Sequence, residues 1–155
     1  MRVIVLGMVS VLVIGIVPGA AWADGSVHVE LMGRGGAYGV GGELVLAKRV
    51  AVGVTASFLP VDGERVTTVS PYVHMVLLAR GAHAWFAEAG PAITHTSIPS
   101  PVPEWDGVSD TAIGGVVSTG HEVGGERLFL RSSISLAVGP GGVAPWGGAL
   151  LGVRF

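Results

Sequence analysis

Residues 145–155, P-W-G-G-A-L-L-G-V-R-F, alternate strictly towards the carboxyl end. Counted back from the last residue, Phe155, Val153, Leu151 and Ala149 fall on one face of an extended strand, and Arg154, Gly152, Leu150 and Gly148 fall on the other. That is a period of two, and it stops on an aromatic residue. A soluble protein gains little from an exposed Phe at the tip of such a strand. The closing strand of a transmembrane barrel does gain, because its outer face meets lipid and an aromatic ring suits the membrane interface.

Composition points the same way. Half of the 155 residues are hydrophobic, 13% are charged, and the mean hydropathy is +0.65. Yet beyond the N-terminal stretch there is no apolar run of about 18 residues, so transmembrane helices are not expected. Apolar character spread over alternate positions leaves a barrel as the natural reading. Many of the 26 glycines lie inside strand-like segments, where a narrow lumen and strong curvature favour them. The net charge of -2, with no basic patch, argues against a nucleic-acid partner. Without cysteine there is no disulfide, thiol catalysis, thiolate zinc site or lipoprotein anchor.

The first residues read as a secretory leader. Met1 and Arg2 form a positive start, residues 3–17 are a nearly unbroken apolar stretch, and Pro18-Gly19 breaks it. Ala21 and Ala23 then supply small residues at the -3 and -1 positions of a cleavage site. Residues 1–23 are the expected signal peptide, and residues 24–155 the mature barrel.

Eight strands are predicted: 27–33, 37–46, 50–59, about 66–78, 82–97, 110–123, 127–138 and the closing 145–155. The third alternates most clearly, with Val50, Val52, Val54, Ala56 and Phe58 against Ala51, Gly53, Thr55 and Ser57. Arg34-Gly35-Gly36 reads as a tight connection after the first strand. Connections after the second, fourth and sixth strands are short. Those after the third (60–65), fifth (98–109, with Trp105) and seventh (139–145) are read as longer loops. This asymmetry fits an antiparallel barrel with both termini on one side. The expected fold class is all-β, an eight-stranded antiparallel up-and-down transmembrane β-barrel.

One face of each strong strand is nearly all apolar. The other carries Gly, Ala, Ser and Thr with scattered ionisable groups: Glu30, Glu43, His74, Glu88, Arg131 and Arg154. Lipid outside and a polar lumen inside explain both faces. These six are expected to form a lumen network, most of them within four or five residues of the strand ends nearest the short turns and so near enough to share a layer. A structural ion-pair network filling a narrow interior is one reading, and a proton or ion path is the alternative.

Gly35-Gly36-Ala37-Tyr38 leading to Glu43, the Lys48-Arg49 turn, the V-x-V-x-V strand and the terminal P-W-G-G-A-L-L-G-V-R-F resemble the small bacterial outer-membrane beta-barrel domain family, the porin-like and opacity-like eight-stranded barrels. The resemblance implies an outer-membrane location. It also implies that Leu151, Val153 and Phe155 form the strand read by the outer-membrane assembly machinery. It carries over no reaction and no catalytic residue.

His95-Thr96-Ser97 is the one arrangement with enzymatic character. It resembles the His-x-Ser pair of outer-membrane lipid A deacylases, in which histidine activates serine against an acyl ester, with Glu104 or Asp110 as the nearby acid. No nucleotide-binding glycine pattern opens a helix. His28, His74, His83, His95 and His121 lack metal-ligand spacing. His83 and His121 lie beside predicted turns and are expected to be solvated or interfacial. Tyr38, Phe58, Trp85 and Phe155 suit interfacial anchoring. The expectation is a monomeric structural or surface-interaction barrel with no cofactor, no metal and an unidentified surface ligand. The alternatives are a lipid A-modifying hydrolase using His95 and Ser97, or a narrow pore or small-ligand carrier.

Overall fold

The computed structural model describes residues 24–61, 63–100, 102 and 107–155. The leader with Ala21 and Ala23, and the loop residues Glu104 and Trp105, lie outside the described residues.

Eight strands follow in order: β1 (Gly25–Leu31), β2 (Tyr38–Ala47), β3 (Val50–Val61), β4 (Glu64–Arg80), β5 (His83–Ile98), β6 (Val108–Gly124), β7 (Leu128–Gly139) and β8 (Gly142–Arg154). Each pairs antiparallel with its sequence neighbours, and β1 also pairs with β8, so the sheet closes and leaves no edge. The seam runs from Ser26↔Arg154 to Leu31↔Ala149. At its end Gly25 N–H donates to Phe155 O at 3.1 Å, and Phe155 N–H donates to Gly25 O at 3.0 Å. Both termini therefore sit at one end of the barrel, called here the terminal end.

Alternation sorts the side chains as the sequence indicates. Val27, Val29, Val40, Val54, Val73, Leu130, Leu151 and Val153 are exposed on the outer wall, while His28, Glu30, Glu43, Thr55, Ser70, His74, Glu88, Ser118 and Arg131 are buried inside. A soluble barrel has the opposite arrangement. Burial of the polar set and exposure of the apolar set is the pattern of a wall solvated by hydrocarbon.

Several expectations about connections are corrected. The stretches 60–65 and 139–145 are not loops. β3 runs to Val61, which pairs with Glu64, and Gly139 pairs with Gly142. Gly63 and Gly142, at φ 86 and 112, adopt the left-handed backbone that such tight hairpins need. The connections after β3 and β7 are thus as tight as those at the terminal end, and 99–107 is the longest. Conversely, the β1–β2 connection covers residues 32–37 rather than three residues. Met32, expected from the sequence within the first strand (27–33), lies beyond it, exposed and at φ 53.

Two irregularities shift the register near the terminal end, between Val45 and Ala47 and between Val76 and Leu78. The second turns Leu78 and Arg80 to the outer wall, opposite Trp85 and His83. Pro71 and Pro91 lie within β4 and β5 where that ladder is interrupted, and Ser70 Oγ donates to the Pro91 carbonyl at 2.9 Å in place of a missing N–H.

Candidate functional site

The lumen is where ionisable groups converge, and its organiser is a residue read from sequence as a turn. Arg34, in the 32–37 connection, folds back into the barrel and is buried. The backbone there turns inward because glycine flanks it. A Cβ on Gly33 would lie 2.1 Å from the Glu30 carboxylate, and Gly35 sits at φ 137. Inside, the Arg34 guanidinium pairs with Glu30 and with Glu88, donates to Thr55 Oγ1 at 2.8 Å and stacks 3.8 Å from the Tyr72 ring centre.

A second guanidinium mirrors it. Arg131, on β7, forms a bidentate pair with Glu43, with Nη2 to Oε2 at 2.9 Å, and reaches Glu122 through Nε at 2.6 Å. Glu122 in turn accepts from Arg154, which lies over Phe129. The two halves meet at Glu88: its Oε1 lies 2.9 Å from His74 Nδ1 and 3.7 Å from Arg131 Nη1. Tyr72 O–H donates to Glu43 at 2.9 Å and ties in the remaining carboxylate.

All six residues expected in the lumen network lie on the inner face of the wall. With Glu122 and Arg34 they form a linked series, Arg154–Glu122–Arg131–Glu43, then Glu88–Arg34–Glu30, with His74 joined at Glu88. Sequence reading missed Arg34, Glu122 and Tyr72. Parity places Tyr72 and Glu122 on the inner face. Arg34 belongs to no strand, so alternation could not find it, and its flanking glycines are the only signal in the sequence.

This series divides the interior. A vestibule of about 690 Å³ opens at the terminal end, lined by Lys48, Arg49, Arg127, Arg154, Glu43 and Glu122 among others. At the far end lies a cup of about 380 Å³, lined mainly by small or apolar groups such as Ala92, Ala112, Val116 and Trp146. Between them, a small pocket bounded by Glu30, Arg34, Phe86, Glu88, Arg131 and Leu150 holds only about 10 Å³, no more than a single water requires. Phe86 and Phe129, both almost fully buried, fill the gaps that the ion pairs leave.

Glu43, His74 and Glu88 bring potential ligand atoms within 4.8 Å of one another, a grouping that sequence spacing did not reveal. Their chemistry suits cation pairing rather than a metal. Both carboxylates already face Arg131, Glu88 also faces Arg34, and Tyr72 donates to Glu43. A dication would enter between two guanidinium groups.

Among the described residues His95 and Ser97 share a face of β5 but make no hydrogen bond to each other. His95 is exposed on the outer wall near the far end, and its Nδ1 lies 3.0 Å from Thr111 Oγ1 on β6. Ser97, two residues along the same face, pairs across the sheet with Arg65 and Ser109. Asp110 Oδ1 accepts the Thr111 N–H at 2.8 Å rather than orienting the imidazole. Among the described residues no base–nucleophile bond forms here.

No family model matches the chain, and no curated protein does. Solved structures do match. The chain is similar to the N-terminal β-barrel domain of Pseudomonas aeruginosa OprF, at 14% identity and a TM-score of 0.62, over 86% of this chain and 96% of that one. It is also similar to Neisserial surface protein A, NspA, at 16% identity and a TM-score of 0.55, over 85% and 92%. At such identities the likeness speaks to architecture. In fold, this chain is a small, closed, eight-stranded antiparallel up-and-down β-barrel.

Proposed function

We propose that the protein is an integral outer-membrane barrel with a structural or surface-interaction role and a sealed lumen. The observation that carries this reading is the continuous apolar outer wall around a ring with no free edge. On this reading the terminal end faces the periplasm and the far end the exterior. Residues 1–23 act as the leader that brings the chain across the inner membrane. Tyr38, stacked on Phe58 with ring centres 5.9 Å apart, anchors the outer interface. Trp85 and Phe155, 54% and 60% exposed, anchor the inner one. Leu151, Val153 and Phe155 present the strand that the assembly machinery pairs, and the closed ring requires no second copy.

A sealed lumen supports the structural role over a pore, and the ion pairs of Arg34 with Glu30 and Glu88, together with Phe86, stand between the vestibule and the cup. The test is expression of the whole chain, leader included, in a Gram-negative host, followed by fractionation. The expected result is outer-membrane recovery, heat-modifiable gel migration and a mature chain starting at Asp24. Recovery as a soluble periplasmic protein would contradict the reading.

A further inference from the structure

Three groups able to carry positive charge are gathered on the outer wall where the apolar band ends, without a carboxylate among them. The irregularity at Val76/Leu78 turns Arg80 outward, and Arg80 pairs across the strands with His83. His121 pairs with Trp85 on the next strand boundary. His83 Nδ1 and His121 Nε2 lie 3.2 Å apart with stacked rings, and Trp85 packs on His121 with ring centres 5.2 Å apart. Arg80 and His83 are exposed, and Leu78 and Trp85 continue the apolar wall directly above them.

Glu122, the neighbour of His121, turns into the lumen to Arg131 and Arg154. Among the described residues, no carboxylate pairs with Arg80, His83 or His121. The imidazole pair also has a fixed donor capacity. If His83 Nδ1 carries the shared proton, His121 must hold its own on Nδ1. If His121 Nε2 carries it, His83 holds its own on Nε2. In either tautomer one imidazole N–H is left outside the shared bond, and Arg80 stands directly across the strands from His83. A guanidinium, a free N–H and a flanking indole suit a phosphate attached to an apolar body.

We propose that Arg80, His83 and His121, flanked by Trp85 and Leu78, bind the phosphodiester of an anionic glycerophospholipid in the periplasmic leaflet. The inference rests on the membrane reading above, which sets lipid head groups at this height. It favours an anionic lipid over phosphatidylethanolamine because no carboxylate is available to receive an ammonium group. Phosphatidylglycerol is the probe.

The refolded mature barrel, shown to be folded by heat-modifiable migration, is titrated in detergent with phosphatidylglycerol or phosphatidylethanolamine and read by native mass spectrometry. Phosphatidylglycerol should be retained preferentially. Arg80→Gln should lower its retention on the order of tenfold, the scale of one charge-assisted hydrogen bond. The double variant His83→Phe/His121→Phe keeps the aromatic rings but removes the donor, and should lower retention several-fold. Arg127→Gln, which removes the same charge from another turn at the same end, should leave it unchanged. Equal retention of the two lipids would overturn the proposal, as would equal losses in Arg80→Gln and Arg127→Gln, or displacement of the lipid by equimolar inorganic phosphate. A barrel that migrates as folded yet shows no lipid preference sinks this site while leaving the membrane reading intact.

Discussion

The two halves of the lumen share one wall and are built on opposite chemistry. Towards the terminal end the inner positions are Glu43, Glu122, Arg131 and Arg154, held in bidentate and bridging ion pairs. Towards the far end they are Ala92, Ala112, Val116, Thr68 and Thr94, and polar groups there bond as neutral pairs, such as Thr68 and Thr94 at 3.0 Å. The difference reflects how each half meets its desolvation cost. Ions in a narrow lumen hold one another in a fixed geometry but tolerate no missing partner, whereas small apolar residues and hydroxyls tolerate change. The midsection joins the two, and there Arg34 closes the space that the strands alone would leave open.

The largest effect should follow from breaking the charged half. Arg131→Met leaves Glu43 without its guanidinium and Glu122 with Arg154 alone, at a cost of about 3–5 kcal/mol. Urea unfolding of the refolded barrel in detergent measures it, and a shift below 1 kcal/mol would show that water enters and solvates those carboxylates.

Slightly smaller is the outer wall. Val54→Arg sets a charge in the apolar band at mid-strand and should cost about 2–4 kcal/mol in a bilayer folding titration. The inner neighbour Thr55 is not the mild site that alternation alone suggests, since it is 1% exposed and already receives a hydrogen bond from Arg34. Thr94, on the wall of the far cup, is the inner position with room, so Thr94→Arg should fold with far less loss than Val54→Arg. Equal losses at both would contradict the assignment of faces.

Deleting Phe155 removes one exposed ring and two seam hydrogen bonds, so lost burial should not exceed about 2–3 kcal/mol. Inserted protein in cells should nevertheless fall sharply, Phe155→Tyr should restore it, and Phe155→Ser should not. Quantitative membrane fractionation separates failed recognition from lost packing, and normal insertion of all three variants would remove this strand as an assembly signal.

The smallest effect belongs to the far half. Trp146 points inward, and its Nε1–H is buried with no partner. Trp146→Phe discards that unsatisfied donor along with some packing, so stability should change by no more than about 1 kcal/mol in the same urea assay.

Alternation made the eight strands, their faces and all six ionisable lumen residues legible, because period two survives in any closed sheet with unlike solvents on its two sides. It located Phe155 on the outer face and Arg154 inside for the same reason. Three things escaped it. Tight hairpins at Gly63 and Gly142 looked like loops, since proline and glycine mark both. The irregularity at Val76/Leu78, which sends Arg80 outward, has no periodic signature. Arg34 enters the lumen from a connection, and only the inward turn permitted by Gly33 and Gly35 brings it to Glu30 and Glu88.

The central claim is that this Arg34–Glu88–Arg131 layer seals the barrel between its two openings, and electrical conductance across planar lipid bilayers tests it most directly. With folded, inserted wild-type protein at neutral pH, the current should be indistinguishable from that of protein-free bilayers. A steady ohmic conductance from the wild-type barrel would contradict the sealed lumen and restore the pore.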